Sequence, residues 1–313
     1  MYNIGIDLGG TNIAGGIVSA TGEIVLKKSV PTNASRGAEA IANDISELCK
    51  VLVSESAINP ADIKSVGIGS PGVIDPKSGT VFFAANLNFR NVALAELVNK
   101  GLEYPVYVEN DANCAALGEN AFGAAQGSKH SVTVTLGTGV GGGIVIDGTA
   151  YSGPFFGAGE VGHHIIVMDG EACTCGAKGC WEAYTSATAL IRKTVNAAKS
   201  DPSSMINSLV NGKLEEVNAK TAFDAAAAGD GSAKAVVEKY IDYLCIGIVN
   251  IVNILQPEAI VIGGGVSGQG SALISMIENR MEALSFGGIL KTRIVIAKLG
   301  NDAGIIGAAQ LSN

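Results

Sequence analysis

The chain has 313 residues, of which 47% are hydrophobic and 16% charged, and its formal net charge is −8. That length exceeds what one hydrophobic core usually organises, so two domains are expected. The acidic balance, without any Lys/Arg run longer than two residues, argues against nucleic acid or an anionic membrane as the main partner. The first residues form a strand pattern without a signal sequence, and no apolar run approaches the ~20 residues of a membrane span. We therefore expect a soluble, cytoplasmic protein.

The first 122 residues predict an α/β unit. Apolar stretches separated by Gly-rich turns indicate three strands within residues 2–30, and apolar residues at helical spacing indicate the first helix. In chain order, the elements predicted after these strands are a helix at Ala38–Ser56, a strand at Ser65–Gly69 leading to Ser70, Pro71 and Gly72, a loop containing Asn86, a helix at Val92–Lys100, a strand at Val106–Val108 and a helix from about residue 111 to Phe122.

The second half repeats this order. Its predicted elements are strands at Val132–Leu136 and Ile144–Ile146 joined by the Gly137–Gly143 turn, helices at Tyr184–Ala198, Thr221–Ala228 and Ala233–Leu255, a strand at Ala259–Ile262, a helix at Ala272–Leu284, a strand at Arg293–Ala297 and a helix at Asp302–Leu311. Asn110-Asp111-Ala112 is matched by Asn301-Asp302-Ala303, each after a strand. A duplicated α/β unit predicts a two-lobed protein whose ligands bind in a cleft at the carboxyl ends of the strands.

Residues 159–182 hold an unusual cluster of cysteine and histidine. Cys173, Cys175 and Cys180 lie within eight residues, and a Cys3His set suits structural Zn²⁺. His163 is the natural fourth ligand, although the spacing leaves the adjacent His164 open. The alternatives are buried thiols or a disulfide, and the latter is disfavoured in a reducing compartment. Cys49, Cys114 and Cys245 stand alone in apolar helical settings and fit core packing.

Two Gly-rich turns follow strands in the two halves, the first at Asp7–Asn12 and the second at Thr135–Gly143. Exposed backbone N–H groups in such turns can bind phosphate oxygens, although tight hairpins also need glycine. Asp7, which ends the first strand, is placed to hold Mg²⁺ through water, or else to cap the turn.

Asp111 lies where a strand passes into a helix. A carboxylate there can accept the proton of an attacking hydroxyl as general base, and it can equally cap the helix. Glu160 and Glu182 lie at the two ends of the cysteine segment. Each is placed to hydrogen-bond a polyhydroxylated ligand, or to be solvated on a loop.

The motifs DLGGTN, GSPG, ENDAN, TLGTGVGGG, the GHx9CxCGx4C segment with its trailing glutamate, and VIGGGVS occur in this order along essentially the whole chain. The sequence resembles the ROK family (repressors, open reading frames and sugar kinases), in particular its bacterial glucokinase-like members. The resemblance implies an α/β fold of the duplicated actin-like ATPase (ribonuclease H-like) type, with two lobes, an interlobe cleft and a zinc-knuckle insertion. It also implies ATP-dependent phosphorylation of a hexose. We assign residues 1–122 and 300–313 to a small lobe, and 123–299 to a large lobe.

The resemblance also implies roles for individual residues. Asp111 matches the catalytic base, and His163 with the three cysteines matches the Zn²⁺ ligands. The implied sugar-binding residues are Ser70, Pro71, Gly72, Asn86, Asn110, Asp111, Glu160, His163 and Glu182. The implied Mg-ATP-binding residues are Asp7, Gly9, Gly10, Thr11, Asn12, Thr138, Gly139, Gly263, Gly264 and Gly265. Asn12 stands where many relatives have lysine, which removes a positive charge from the first phosphate loop.

The family resemblance leaves alternative functions. The repressors carry a winged helix-turn-helix before the first strand, where this chain has two residues, so DNA binding is not expected. A sugar sensor without kinase activity is disfavoured by the intact Asp111 and phosphate loops. Glucose is the expected substrate, with mannose, fructose, allose and N-acetylmannosamine as alternatives. The resemblance and the long apolar helices also predict a homodimer or a dimer of dimers.

Overall fold

A computed structural model describes residues 1–288 and 291–312 of the chain. Its backbone divides into two compact units. The first unit comprises Met1–Thr133, Gly143–Gly159 and Lys298–Asn313, and the second comprises Val134–Gly142 and Glu160–Ala297. The first unit is therefore assembled from three separate stretches of sequence.

The strands, in chain order, are β1 Tyr2–Leu8, β2 Asn12–Ser19, β3 Ile24–Pro31, β4 Ile63–Ser70, β5 Val73–Asp75, β6 Thr80–Ala84, β7 Phe89–Ala93, β8 Val106–Asn110, β9 Ser131–Leu136, β10 Val140–Ile146, β11 Thr149–Ala150, β12 Ala259–Gly263 and β13 Arg293–Ile296. The α-helices are α1 Ala38–Glu55, α2 Leu94–Asn99, α3 Asp111–Ala121, α4 Glu182–Thr185, α5 Ala187–Ser200, α6 Met205–Leu209, α7 Thr221–Ala227, α8 Gly231–Leu255, α9 Ser271–Leu284 and α10 Ala303–Ala308.

Two five-stranded sheets share one strand order. The first runs β3-β2-β1-β4-β8, and the second runs β11-β10-β9-β12-β13. In the first sheet β1, β2 and β3 pair antiparallel, whereas β4 pairs parallel with both β1 and β8. In the second sheet β12 and β13 are parallel. Each sheet therefore places its third, second, first, fourth and fifth strands side by side, which agrees with the predicted duplication.

The core of the first unit lies around its sheet. Helix α1 buries the apolar residues that its sequence spaces three or four apart, including Ile41, Ile45, Leu48 and Leu52. The side chains of β1 alternate, so that Ile4 and Ile6 are buried within the same cluster as these α1 residues. Burial of this continuous apolar surface is the main force that holds the unit together.

Glycines allow helix α10 to lie directly on the backbone of the same unit. A Cβ added to Gly5 would stand 1.9 Å from the Ile305 carbonyl oxygen, and one added to Gly67 would stand 1.8 Å from that of Ala308. A Cβ on Gly307 would stand 1.6 Å from the Cys114 carbonyl oxygen in α3. The C-terminal helix therefore closes the first unit through backbone-to-backbone contact that no larger residue permits.

In the second unit, a single tryptophan anchors the end of the cysteine segment. Trp181 is fully buried, and its Nε1–H donates to the Tyr243 carbonyl oxygen of α8 at 2.9 Å. Gly247, one turn along, has no side chain, and a Cβ there would lie 2.1 Å from the indole ring. Because Trp181 follows Cys180 directly, the helix α8 fixes the position of the last cysteine.

Several predicted elements differ from the structure. Residues 73–93, predicted as loop and helix start, form the three-stranded antiparallel sheet β5-β6-β7, and α2 begins only at Leu94. The predicted helix Tyr184–Ala198 is interrupted at Ser186, whose hydroxyl caps α5 by accepting the Ala189 N–H. Residues 140–143, predicted as turn, belong to β10, and the short helix α6 was not predicted. Among the described residues, no helix combines the length and apolar character needed to cross a membrane.

Candidate functional site

In the first unit, three parallel strands end at the same edge of the sheet. The pairing aligns Asp7 of β1 with Gly69 of β4, and Ser70 of β4 with Asn110 of β8. Parallel strands place their carboxyl ends together, so residues far apart in sequence converge here. Asp7, Ser70, Asn110 and Asp111, all predicted site residues, therefore lie along one edge.

The turn from β8 into α3 fixes the backbone around Asp111. The Asn110 side-chain Oδ1 accepts the N–H groups of Ala112 and Asn113 at 2.9 and 3.2 Å, which makes Asn110 the N-cap. Its Nδ2 donates to the Gly72 carbonyl oxygen at 3.0 Å, which joins the Ser70-Pro71-Gly72 turn to this helix start. Asn110, not Asp111, is therefore the residue that caps α3.

Asp111 keeps one carboxylate oxygen available. Its Oδ1 accepts the Ala112 N–H at 2.9 Å, and no hydrogen bond from the described residues reaches Oδ2. Burial raises the pKa of Asp111 above its ordinary value, while the Ala112 N–H opposes this shift. A half-buried carboxylate with a raised pKa and a free oxygen has the properties of a general base.

Asp7 stands in the electrostatic field of Asp111. Burial, reinforced by the negative charge of Asp111, raises the pKa of Asp7 to about 6, and Lys27 partly opposes this. A cation bound at Asp7 would lower that pKa again, since an opposite charge favours the ionised carboxylate. The donor chemistry of Asp7 thus fits Mg²⁺.

The first Gly-rich turn lies beside Asn86. Gly9 donates its N–H to the Asn12 carbonyl oxygen at 2.9 Å and so closes the turn over Gly10 and Thr11. A Cβ on Gly10 would approach Asn86 to 3.4 Å. The structure therefore brings Asn86, a predicted sugar-binding residue, against the predicted phosphate turn.

In the second unit, the Thr138-Gly139 part of the second Gly-rich turn lies near the Gly263–Gly265 turn. Gly137 donates its N–H to the Gly139 carbonyl oxygen at 3.0 Å, and the Thr138 carbonyl oxygen accepts the Thr188 hydroxyl at 2.8 Å. Gly264 has a φ of +80°, and a Cβ there would lie 2.5 Å from the Leu136 carbonyl oxygen. The Gly263–Gly265 turn after β12 therefore packs against the end of β9, where the Thr138-Gly139 turn begins.

Four predicted metal ligands converge in the second unit. The ligand atoms of His163, Cys173, Cys175 and Cys180 all lie within 4.8 Å of one another. The distance from the Cys173 Sγ to the His163 Nδ1 is 3.7 Å, and that from the Cys175 Sγ to the Cys180 Sγ is 3.6 Å. Four ligands about 2.3 Å from a zinc ion stand about 3.8 Å apart in a tetrahedron, so these residues fit Zn²⁺.

His164 is placed differently from His163. Its Nδ1 donates to the Val161 carbonyl oxygen, and its ring packs against Trp181 with centroids 5.2 Å apart. It is not part of the group of converging ligand atoms. Of the two histidines that the spacing left open, His163 is the one whose ring lies among the converging ligand atoms.

Glu160 and Glu182 both lie beside the cysteine cluster. The Glu160 Oε2 is 4.0 Å from the His163 Nε2, the ring nitrogen opposite the one that faces Cys173. Glu182 accepts the Thr174 hydroxyl at 3.1 Å and the Val140 N–H at 2.9 Å. The latter contact, which sequence reasoning missed, ties the cysteine cluster to the second Gly-rich turn.

The sequence matches the model of the ROK family over residues 3–313. The chain belongs to the ROK family. It is 39% identical over 312 residues to a glucokinase of Halalkalibacterium halodurans, covering 99% of this chain and 94% of that protein. It is 38% identical over 310 residues to a glucokinase of Thermotoga maritima, covering 98% and 96% respectively. ROK glucokinases are therefore its relatives over nearly their full length.

Solved structures of the family agree with this membership. A ROK family glucokinase from Streptomyces griseus, in complex with glucose and AMPPNP, superposes with a TM-score of 0.79 at 35% identity, covering 99% of each chain. The predicted fold class, the duplicated actin-like ATPase fold, is confirmed by this match. The shared strand order of the two sheets reflects that duplication.

Proposed function

We propose that this ROK protein is an ATP-dependent glucokinase, which transfers the γ-phosphoryl group of ATP to glucose and releases glucose 6-phosphate and ADP. The observation that carries this conclusion is the near full-length identity of 36–39% to curated glucokinases. It is supported by the S. griseus relative, which was solved with glucose and a nucleotide. The cluster of Asp7, Asn110 and Asp111 at one sheet edge supplies groups suited to the chemistry.

Asp111 is the proposed general base. As the sugar hydroxyl oxygen forms its bond to the γ-phosphorus, the bond to the ADP oxygen breaks and the hydroxyl proton passes to the Asp111 carboxylate. Oδ1 is held by the Ala112 N–H, which leaves Oδ2 to receive the proton. A raised pKa makes that carboxylate a better proton acceptor.

The remaining site residues are proposed to bind and orient the substrates. The residues proposed to bind sugar hydroxyls are Ser70, Pro71, Gly72, Asn86, Asn110, Glu160, His163 and Glu182. The two Gly-rich turns and Gly263–Gly265 are proposed to bind ATP through their N–H groups. Asp7 would hold Mg²⁺, which supplies charge neutralisation of the phosphates when bound.

Zn²⁺ is the proposed occupant of the Cys3His cluster. Bound there, Zn²⁺ would support the structure, because three thiolates and one imidazole would supply its full set of ligands. The His163 Nδ1 faces the cluster and its Nε2 faces Glu160, so the metal would orient the imidazole toward a proposed sugar-binding carboxylate. We further propose a cytoplasmic location and a homodimeric or homotetrameric assembly.

The decisive experiment is Asp111→Asn, assayed by coupled ADP release with glucose. The amide keeps an oxygen for the Ala112 N–H but cannot accept a proton at catalytic pH, so kcat should fall by roughly 10²-fold or more, with glucose affinity little changed. Asp302→Asn, the corresponding position in the other half, serves as control and should retain kcat. If Asp111→Asn instead keeps kcat and lowers only the melting temperature, the proposed role of Asp111 is wrong. Repeating the wild-type assay with mannose, fructose, allose and N-acetylmannosamine tests the sugar assignment.

A further inference from the structure

A second carboxylate, that of Glu109, is buried next to the proposed catalytic residue. Glu109 is the penultimate residue of β8, two residues before Asp111, and is only 4% exposed. No ion pair of Glu109 occurs among the described parts of the chain. A carboxylate is costly to bury without a cation, so its place in the fold requires other partners.

Neutral donors supply those partners. Glu109 Oε1 accepts the backbone N–H of Asn110 at 2.7 Å and the side-chain Nδ2–H of Asn113 at 3.1 Å. Its Oε2 accepts the Ser152 hydroxyl at 2.7 Å. Three donors thus share the two oxygens of one buried carboxylate, and each would lose its partner if Glu109 moved.

The donors are the residues that surround Asp111. Asn110 precedes it and caps α3, and Asn113 lies in the first turn of the same helix. The Asn113 side chain is 2% exposed, and its Oδ1 has no partner among the described atoms. Its orientation is therefore set by its Nδ2, which donates to Glu109 and, at 3.4 Å, to the Ser152 hydroxyl oxygen.

Ser152 extends the network to another part of the first unit. It lies in the segment 151–159, which follows β11, and is 8% exposed. The Glu109 carboxylate thus joins three stretches of backbone: the end of β8, the first turn of α3 and the segment after β11. One buried group fixes the direction in which α3 starts.

We propose that Glu109 is a positioning residue for phosphoryl transfer: its carboxylate holds Asn110 and Asn113 so that Asp111 presents Oδ2 to the sugar hydroxyl. The proposal rests on the proposed role of Asp111 as base. It assigns Glu109 no contact with substrate. Misplacement of a catalytic group by about 1 Å can cost ~10²-fold in rate, so a residue that acts only through geometry has a measurable effect.

Three variants test the network. Glu109→Ala removes every acceptor and should lower kcat by roughly 10-fold or more. Glu109→Gln should stay within about threefold of wild type, since its Oε1 can accept the same two N–H groups and its Nε2 can donate to the Ser152 hydroxyl. Ser152→Ala removes one of three donors and should give a smaller loss of kcat in the same direction. Rescue by glutamine separates positioning from a need for charge.

A double-mutant cycle distinguishes positioning from general damage. If Glu109 acts through Asp111, then Glu109→Ala introduced into the Asp111→Asn variant should cause no further fall in kcat. Asn120→Ala is the matched control, because Asn120 is a buried amide near the other end of α3 that donates to the Ser128 carbonyl oxygen and the Ser131 hydroxyl. It should lower the melting temperature and leave kcat within about twofold of wild type.

The outcomes are separable. If Asp111→Asn lowers kcat as expected but Glu109→Ala keeps kcat within about twofold of wild type, or lowers it by the same factor in both backgrounds, the positioning role is refuted. If Asp111→Asn itself retains kcat, the proposed base is wrong and the positioning role falls with it. Should Glu109→Ala fail to fold, an unchanged kcat in Ser152→Ala would overturn the proposal, and a reduced one that Asn120→Ala does not share would support it.

Discussion

Replacing Asp7 by asparagine should stabilise the protein while impairing its use of Mg-ATP. Asp7 is held at the end of β1 with a pKa raised from 3.8 to about 6, chiefly by burial and then by the charge of Asp111. Its ionised form is therefore disfavoured in the folded state relative to the unfolded chain. The neutral amide of Asp7→Asn has a similar shape and avoids that cost.

The size of the effect follows from linkage. At 1.36 kcal/mol per pH unit, the difference between 3.8 and about 6 corresponds to roughly 3 kcal/mol, an upper bound since Asp7 is only half-buried. The pKa of Asp7 is higher in the folded state than in the unfolded chain. The wild type therefore loses this stability as the pH rises from about 4 to about 6, and the loss is complete above about 7. At roughly 2–4 °C per kcal/mol, the melting temperature of Asp7→Asn should be several degrees higher at neutral pH.

Thermal melts without Mg²⁺ or nucleotide, at pH values near 4 and near 7.5, measure this directly. The melting temperature of Asp7→Asn should exceed that of the wild type at the higher pH and differ little from it at the lower pH. The KM for Mg-ATP should rise by roughly 10-fold or more if Asp7 holds the metal. Asp75→Asn is the control, because the Ser78 hydroxyl lowers the pKa of Asp75 and removal of that carboxylate offers no gain. An unchanged or lowered melting temperature near pH 7.5, or an equal gain at both pH values, would refute the reasoning.

Three further predictions concern the cysteine segment and α10. Cys175→Ser should lower the bound zinc from one equivalent to well below it, and should reduce both the melting temperature and the affinity for glucose. Zinc analysis and calorimetry measure these quantities, and full retention of zinc would contradict the assignment. Chelation of the metal should move the fluorescence emission of Trp181, the one tryptophan, to longer wavelength, because this fully buried ring follows Cys180. Gly307→Ala should destabilise the protein by at least about 2 kcal/mol, because its Cβ would overlap the Cys114 carbonyl oxygen, whereas Gly157→Ala, with open space at its Cβ, should melt like the wild type.

The sequence was sufficient to predict the duplicated architecture. Strand and turn patterns in both halves agree with the shared strand order of the two sheets, and apolar spacing predicted α1 to within a residue at its end. The convergence of His163 with the three cysteines was also predicted, since short spacing limits where such ligands can point. These features depend on local pattern, which a single sequence retains.

Features that depend on distant partners were not predictable. The sheet β5-β6-β7 was missed because its strands do not alternate cleanly, and Phe82 and Phe83 are both about 40% exposed. The sequence did not show that Asn110 caps α3, because the adjacent Asp111 is equally able to cap a helix. The bond from Ser152 to Glu109 joins residues 43 positions apart, and no local pattern specifies it.

The packing of α10 on Gly5 and Gly67 has a consequence for biosynthesis. At about 5–20 residues per second, the ribosome delivers Ile305 and Ala308 roughly 12–60 seconds after the strands that carry Gly5 and Gly67. During that interval the nascent first unit lacks the helix that covers one face of β1 and β4, and the exposed apolar surface invites misassociation. A chain released before Ile305 would therefore leave the N-terminal sheet uncovered, although the missing residues belong to the opposite end of the sequence.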